Sequence, residues 1–227
     1  MRSNASGPWS LLALAGGAAL AAAQWFVWQY APIEQTMGLM QKIFYLHMPL
    51  AWWSFASFTV VFGASVWHLW KRSRGSDLLA GAAAEIGVLM SGLALVTGSL
   101  WGRQSWGVWW TWDPRLTTTL IMWFVYAAYL ALRSSDVGGG RRGLLCAALG
   151  VAAFLDVPLV FYSARLWRSI HPAVLNSQGG GLEPEMKLAL FVCLGAMGLF
   201  WLALMRLRWS LALAEDRTTA LAARVEE

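Results

Sequence analysis

Leu79-Ala-Gly-Ala-Ala-Ala-Glu85-Ile-Gly-Val-Leu-Met90-Ser-Gly-Leu-Ala-Leu-Val-Thr-Gly-Ser-Leu-Trp101 is a run of 23 residues with one ionisable side chain, Glu85. As an α-helix it extends about 35 Å, enough to cross the roughly 30 Å hydrocarbon core of a bilayer. Comparable apolar stretches cover about residues 9–30, 50–70, 117–132, 144–163 and 187–205, the fourth short for its task. Backbone amides find no water inside a bilayer, so each stretch must be helical. The expected fold class is therefore all-α, a polytopic membrane bundle of six transmembrane helices with short outer interfacial helices. Short connections leave no room for a separate soluble unit, so residues 1–227 are expected to form a single membrane domain.

Composition agrees. Of 227 residues, 58% are hydrophobic and 13% are charged, about half the charge of a soluble domain, and the mean hydropathy is +0.52. The N-terminal stretch, with Arg2 and the alanines up to Ala23, resembles a cleavable signal peptide. It continues through Trp25 to Trp28 and ends near Tyr30, a length that suits an uncleaved first span. The net charge of +5 does not point to nucleic acid, because the basic residues lie in short clusters between the apolar runs. Eleven of the 17 Lys and Arg fall on the side that holds the N-terminus, including Lys71, Arg72, Arg74, Arg133, Arg141, Arg142, Arg206 and Arg208. Six fall on the other side. By the bias of Lys and Arg toward the cytoplasm, both termini are expected inside and three longer loops outside.

Cys146 and Cys193 each lie within a span and outside any C-x-x-C pair, so they read as packing residues rather than metal or dithiol chemistry. No C-x-x-C-H is present, which excludes a covalent haem carrier, and no G-x-x-x-x-G-K-[ST] phosphate-binding loop is present.

The chemistry concentrates in the outer loops. In the first, Ile33, Met37, Met40, Phe44 and His47 recur at helical spacing, which predicts an amphipathic interfacial helix ending at His47, with Pro49 opening the next span. The second loop places Trp101, Trp106, Trp109, Trp110 and Trp112 within twelve positions, interleaved with Gly102, Gly107, Asp113 and Arg115. An aromatic belt at the headgroups explains scattered tryptophans such as Trp25 and Trp28 but does not require this density. Clustered indoles offer flat apolar faces suited to a flat apolar ligand such as a porphyrin. The third loop carries Arg165, Trp167, Arg168, His171 and the glycines Gly179 to Gly181. Only three histidines are present, and two of them, His47 and His171, flank the tryptophan segment in sequence. Haem iron accepts two axial imidazoles, and Lys42, Arg103, Arg115, Arg165 and Arg168 are the outer cations available to its propionates. The third histidine, His68, reads as an interfacial residue at the opposite end. Glu85 and Asp156 lie within spans, where an ionisable group demands a partner or a function.

The segment Trp101 to Thr117, reading Trp-Gly-x-x-x-Trp-Gly-x-Trp-Trp-x-Trp-Asp-x-Arg-Leu-Thr, resembles the tryptophan-rich signature of haem-handling proteins in cytochrome c biogenesis. With six spans and the context Phe44-Tyr45-Leu46-His47-Met48-Pro49, the chain resembles the haem exporter protein C family, CcmC, over nearly its whole length. That resemblance implies His47 and His171 as axial ligands to a non-covalent haem b. It implies an outer haem-binding surface at Trp101, Trp106, Trp109, Trp110, Trp112 and Asp113, with Arg115 as the motif arginine and Lys42 as the basic residue ahead of the first histidine. The implied partners are the ATPase and membrane subunits of an ABC transporter, a small membrane subunit and a haem chaperone, CcmE. The implied setting is the bacterial inner membrane, with the haem site facing the periplasm and no enzymatic turnover.

Other readings stay open at this stage. A b-type electron-transfer cytochrome would hold haem between histidines on facing spans, and His68 alone is near a span on the far side. A small-solute transporter could use Glu85 and Asp156, but no inverted repeat is evident. A copper site at His47, Met37, Met40 and Met48 leaves the tryptophans unexplained.

Overall fold

The computed structural model describes residues 8–136, 139–171 and 182–226. Its helices are α1 (Pro8–Tyr30), α2 (Phe44–Lys71), α3 (Arg74–Trp106), α4 (Pro114–Ser134), α5 (Arg142–Ala153), α6 (Asp156–Leu166) and α7 (Pro184–Glu226). Counting α5 and α6 as one crossing, six segments are long and apolar enough to span a membrane. The protein is an all-α polytopic bundle.

Two of the helices overrun the bilayer. At 33 and 43 residues, α3 and α7 extend about 50 and 65 Å, so both project beyond the apolar core. The mixed-charge C-terminal stretch continues α7 as far as Glu226. Meanwhile the fifth crossing is broken. Pro158 has no N–H for the carbonyl of Phe154, and its ring crowds that carbonyl, so the chain steps through Phe154 and Leu155 before α6 begins at Asp156.

The core lies between α2 and its neighbours. Phe58 stacks on Tyr126 of α4 with ring centroids 3.7 Å apart, and Met90 and Met122 are buried beside them. Between α2 and α7, Trp53 donates to the Leu194 carbonyl at 2.9 Å and Trp201 donates to Ser57 Oγ at 2.8 Å, so both indole N–H groups are satisfied in the interior. A second apolar cluster, with Val27, Tyr45, Leu190 and Cys193, binds α1 to α7 at one end of the bundle. Both cysteines are buried and unpaired, as packing residues.

The first loop differs from the expected helix. Residues 34–38 form a tight turn closed by the Gly38 amide on the Glu34 carbonyl, and Gly38 takes φ +60°. Helix starts only after that reversal, as a single 3-10 turn, Leu39–Ile43, running into α2. The apolar stripe is therefore cut: Ile33 stays exposed while Phe44 is buried. His47 and Pro49 both lie inside α2 rather than at its border.

Candidate functional site

His47 sits in the first turns of α2 and faces the last turns of α3. Its Nδ1 lies 3.0 Å from the Ala94 carbonyl and 3.1 Å from Thr97 Oγ1. A carbonyl only accepts, and the Thr97 hydroxyl spends its proton on the Leu93 carbonyl at 2.8 Å, so Nδ1 carries the hydrogen and donates to both. That fixes the neutral tautomer with its lone pair on Nε2, the arrangement of a metal-binding imidazole held from behind. Gly98 makes the room: a Cβ there would stand 3.0 Å from His47 Cε1.

One turn further along α3, at Trp101, the second histidine arrives. Trp101 is 5% exposed and meets the edge of Trp106 at 5.8 Å and the His171 ring at 6.3 Å between centroids. Positions 98 and 101 are about 5 Å apart along a helix axis, so both histidines rest on the same end of α3.

The segment between α3 and α4 is shaped by two residues. Gly107 closes α3 in the left-handed conformation, φ +74°, which costs a glycine nothing. Asp113 opens α4 as its N-cap, accepting from the Arg115 amide at 2.9 Å, with Pro114 in the first helical position. Its other oxygen reaches across to the third loop, accepting from Ser169 Oγ at 2.7 Å and the Ile170 amide at 2.9 Å. Burial alone would raise this carboxyl. The bonds from Ser169 and from the Ile170, Arg115 and Leu116 amides outweigh it and hold Asp113 below the usual carboxylate range. Arg115 adds a third tie, with Nη1 3.2 Å from His171 Nδ1. The Asp-Pro-Arg corner thus holds residues 169–171 and, through them, His171.

Among the described residues, four buried polar atoms in this segment have no hydrogen-bond partner: Trp101 Nε1, Thr111 Oγ1, Arg115 Nε and Thr117 Oγ1. Buried polar groups are ordinarily satisfied, so the segment concentrates unspent hydrogen-bonding capacity beside the two histidines.

A family model described as CcmC, heme exporter protein C, matches residues 3–224. The chain belongs to the heme exporter protein C family. Curated relatives of that name include one from Haemophilus influenzae, 34% identical over 82% of this chain and 77% of its own length. Another, from Escherichia coli strain K12, is 32% identical over 92% and 85%. A third, from Paracoccus denitrificans, is 32% identical over 96% and 90%.

Not every residue that the heme exporter protein C signature singles out lies on one surface. Trp109 and Trp112 are exposed, Trp112 by 77%, and Trp112 meets the half-buried Trp110 edge-on at 6.0 Å. Trp101 and Asp113 instead are interior. Lys42 is engaged with α1, its ammonium 4.9 Å over the Trp28 ring. It is buried, donating to the Val27 and Trp28 carbonyls at 3.0 and 3.3 Å, where it closes the C-terminal end of α1. Arg103 donates to the Gly107 carbonyl and lies over Trp109, while Arg165 and Arg168 are exposed. Gly179 to Gly181 lie outside the described residues. Sequence reasoning missed Thr97, Gly98 and Ser169, which position the two histidines. Each is dozens of residues from its partner, and no local pattern announces it.

Two further polar residues belong to the other end. Glu85 pairs with Arg208 of α7 through both carboxylate oxygens, and His68 Nδ1 lies 2.8 Å from the Ser73 carbonyl. Asp156 lies midway along the fifth crossing, its Oδ2 buried with no hydrogen-bond partner among the described residues.

Proposed function

We propose that the chain handles haem for cytochrome c maturation, holding it as cargo and not converting it. In this reading haem b docks at the end of the bundle that carries the tryptophan segment, with His47 and His171 as axial ligands. The indoles of Trp106, Trp109, Trp110 and Trp112 cover the ring, Trp101 backs His171, and Arg115 meets a propionate. The observation that carries it is the setting of His47: its Nδ1–H is engaged by Ala94 and Thr97, which leaves the Nε2 lone pair for iron. This imidazole stands one helical turn from the Trp101–His171 contact. The name shared by the relatives, heme exporter protein C, supports the same cargo. Lys42 is better placed as a helix clasp than as a haem contact.

By the same proposal the chain spans a bacterial inner membrane with both termini cytoplasmic and the haem surface toward the periplasm. It works beside the ATPase and membrane subunits of an ABC transporter and a small membrane subunit, and passes haem to a membrane-anchored chaperone, CcmE. Purified protein titrated with ferric haem should give the six-coordinate, low-spin spectrum of two imidazole ligands. His47→Ala and His171→Ala should each abolish it. If both variants kept the wild-type spectrum and haem content, the ligand assignment would be wrong.

A further inference from the structure

The contact between Arg115 and His171 has a consequence for how haem is taken. A guanidinium only donates hydrogen bonds, so at 3.2 Å the Arg115 Nη1 engages the lone pair of His171 Nδ1. That lone pair cannot be given to iron while the contact lasts. The guanidinium is itself poorly served. Its Nε is buried with no hydrogen-bond partner among the described residues, and Asp113, the carboxylate beside it, has both oxygens occupied by the Arg115 amide, Ser169 and Ile170. Arg165 brings a second positive charge to the same neighbourhood. A half-buried cation bonded to a neutral imidazole, with an unused N–H beside it and a like charge nearby, favours exchange of that imidazole for an anion. A carboxylate is the matched partner, because its two oxygens accept the guanidinium fork in a bidentate, charge-assisted pair that is stronger than the bond to imidazole.

We propose that Arg115 is a latch on His171 that a carboxylate opens. A haem propionate draws the guanidinium off the imidazole and so releases the second axial ligand. This rests on the haem reading above and adds to it that recognition of the carboxylate and ligation of the iron are one coupled event. A porphyrin without free carboxylates then meets His47 alone. Asp113 keeps residues 169–170 fixed throughout, so the released imidazole remains beside Trp101.

The test compares ferric haem with its dimethyl ester, titrated to saturation into the purified full-length chain and read by visible and electron paramagnetic resonance spectra. In the wild type, haem should be six-coordinate and low-spin, while the ester should be five-coordinate and high-spin or fail to bind. In Arg115→Met the ester should become six-coordinate and low-spin, and this signal should disappear when His171→Ala is added. An ester that is low-spin in both proteins, or that remains high-spin or unbound in both, overturns the latch. The wild-type comparison needs no variant, so a poorly folded Arg115→Met does not remove the test: a wild-type ester spectrum matching that of haem is decisive by itself. The haem arm separates the two ideas. Haem spectra insensitive to both histidine substitutions overturn the site and the latch together, whereas a histidine-dependent haem spectrum with an equally low-spin ester overturns the latch alone.

Discussion

A buried carboxylate must use its lone pairs on donors or stay protonated, and Asp113 uses both oxygens on protein N–H and O–H groups. Those bonds favour the ionised form, so its folded value lies below the roughly 3.9 of a free aspartate. A depressed acid stabilises the fold above its unfolded pKa, and the contribution is lost as pH falls through the folded value. Asp113→Asn should therefore be less stable than wild type at neutral pH. The gap should shrink only below about pH 4 and close in stronger acid. Thermal unfolding followed by tryptophan emission across that range checks it, and a gap independent of pH would show that the carboxylate charge is not what holds residues 169–170. The residue was legible in the sequence as part of a dense motif, but its task was not. The family resemblance implied Asp113 as one element of an outer haem-binding surface. Its Ser169 partner is 56 residues away, and only folding reveals that Asp113 works from the interior. The setting of Lys42 was hidden for the same reason: a cation ahead of a histidine reads as a ligand contact, while the α1 carbonyls that accept from it leave no trace in the local pattern.

At the scale of elements, apolar length located all six crossings, because a span is a property of a window. Where helices break or touch depends on single residues. The 3.6-residue stripe from Ile33 to His47 is a true periodicity that Gly38 overrides by reversing the chain. Pro158 divides the fifth crossing without altering its mean hydropathy, so the break at Phe154 and Leu155 was invisible to a length argument. Helix contacts follow small residues in the same way. At Gly16 a Cβ would stand 2.8 Å from the Phe200 Cα, so α1 and α7 touch backbone to backbone. Gly17 has nothing within 4 Å of that position. Gly16→Val should separate the two helices and cost on the order of 1–3 kcal/mol, as overpacking does. Gly17→Val should cost much less, and unfolding of the two variants in the same detergent measures the difference. Equal losses would mean that intrinsic helix propensity, not the close approach, governs the site.

Across the whole molecule, the two ends are held by different forces. At the end away from the histidines, Asp77 is 4% exposed and accepts Arg74 and Arg133, each at 2.7 Å, while Arg74 continues to Asp216 and Arg208 joins Glu85. These pairs tie α3, α4 and α7 around a cleft of about 860 Å³. The exposed Arg74–Asp216 pair adds little, about 0–1 kcal/mol, whereas removing Asp77 strands the largely buried Arg133 at a cost of about 3–5 kcal/mol. Arginines that were counted in the sequence only as topology markers are thus also the fastening of the end away from the histidines. The histidine end has no such network among its described residues. Its ties are hydrogen bonds from amides, a serine and a guanidinium, and two of its indoles, Trp109 and Trp112, are exposed. A membrane protein can keep a surface open at one end if the other end fixes the helices, and in the orientation proposed above the fastened end is the cytoplasmic one. Cysteine at Val108 should then react with a membrane-impermeant maleimide added to intact spheroplasts, while cysteine at Thr219 should react only after the membrane is permeabilised. Labelling of Thr219→Cys in intact spheroplasts would invert the chain, turn the tryptophan segment toward the cytoplasm and remove the basis for delivery of haem on the periplasmic side.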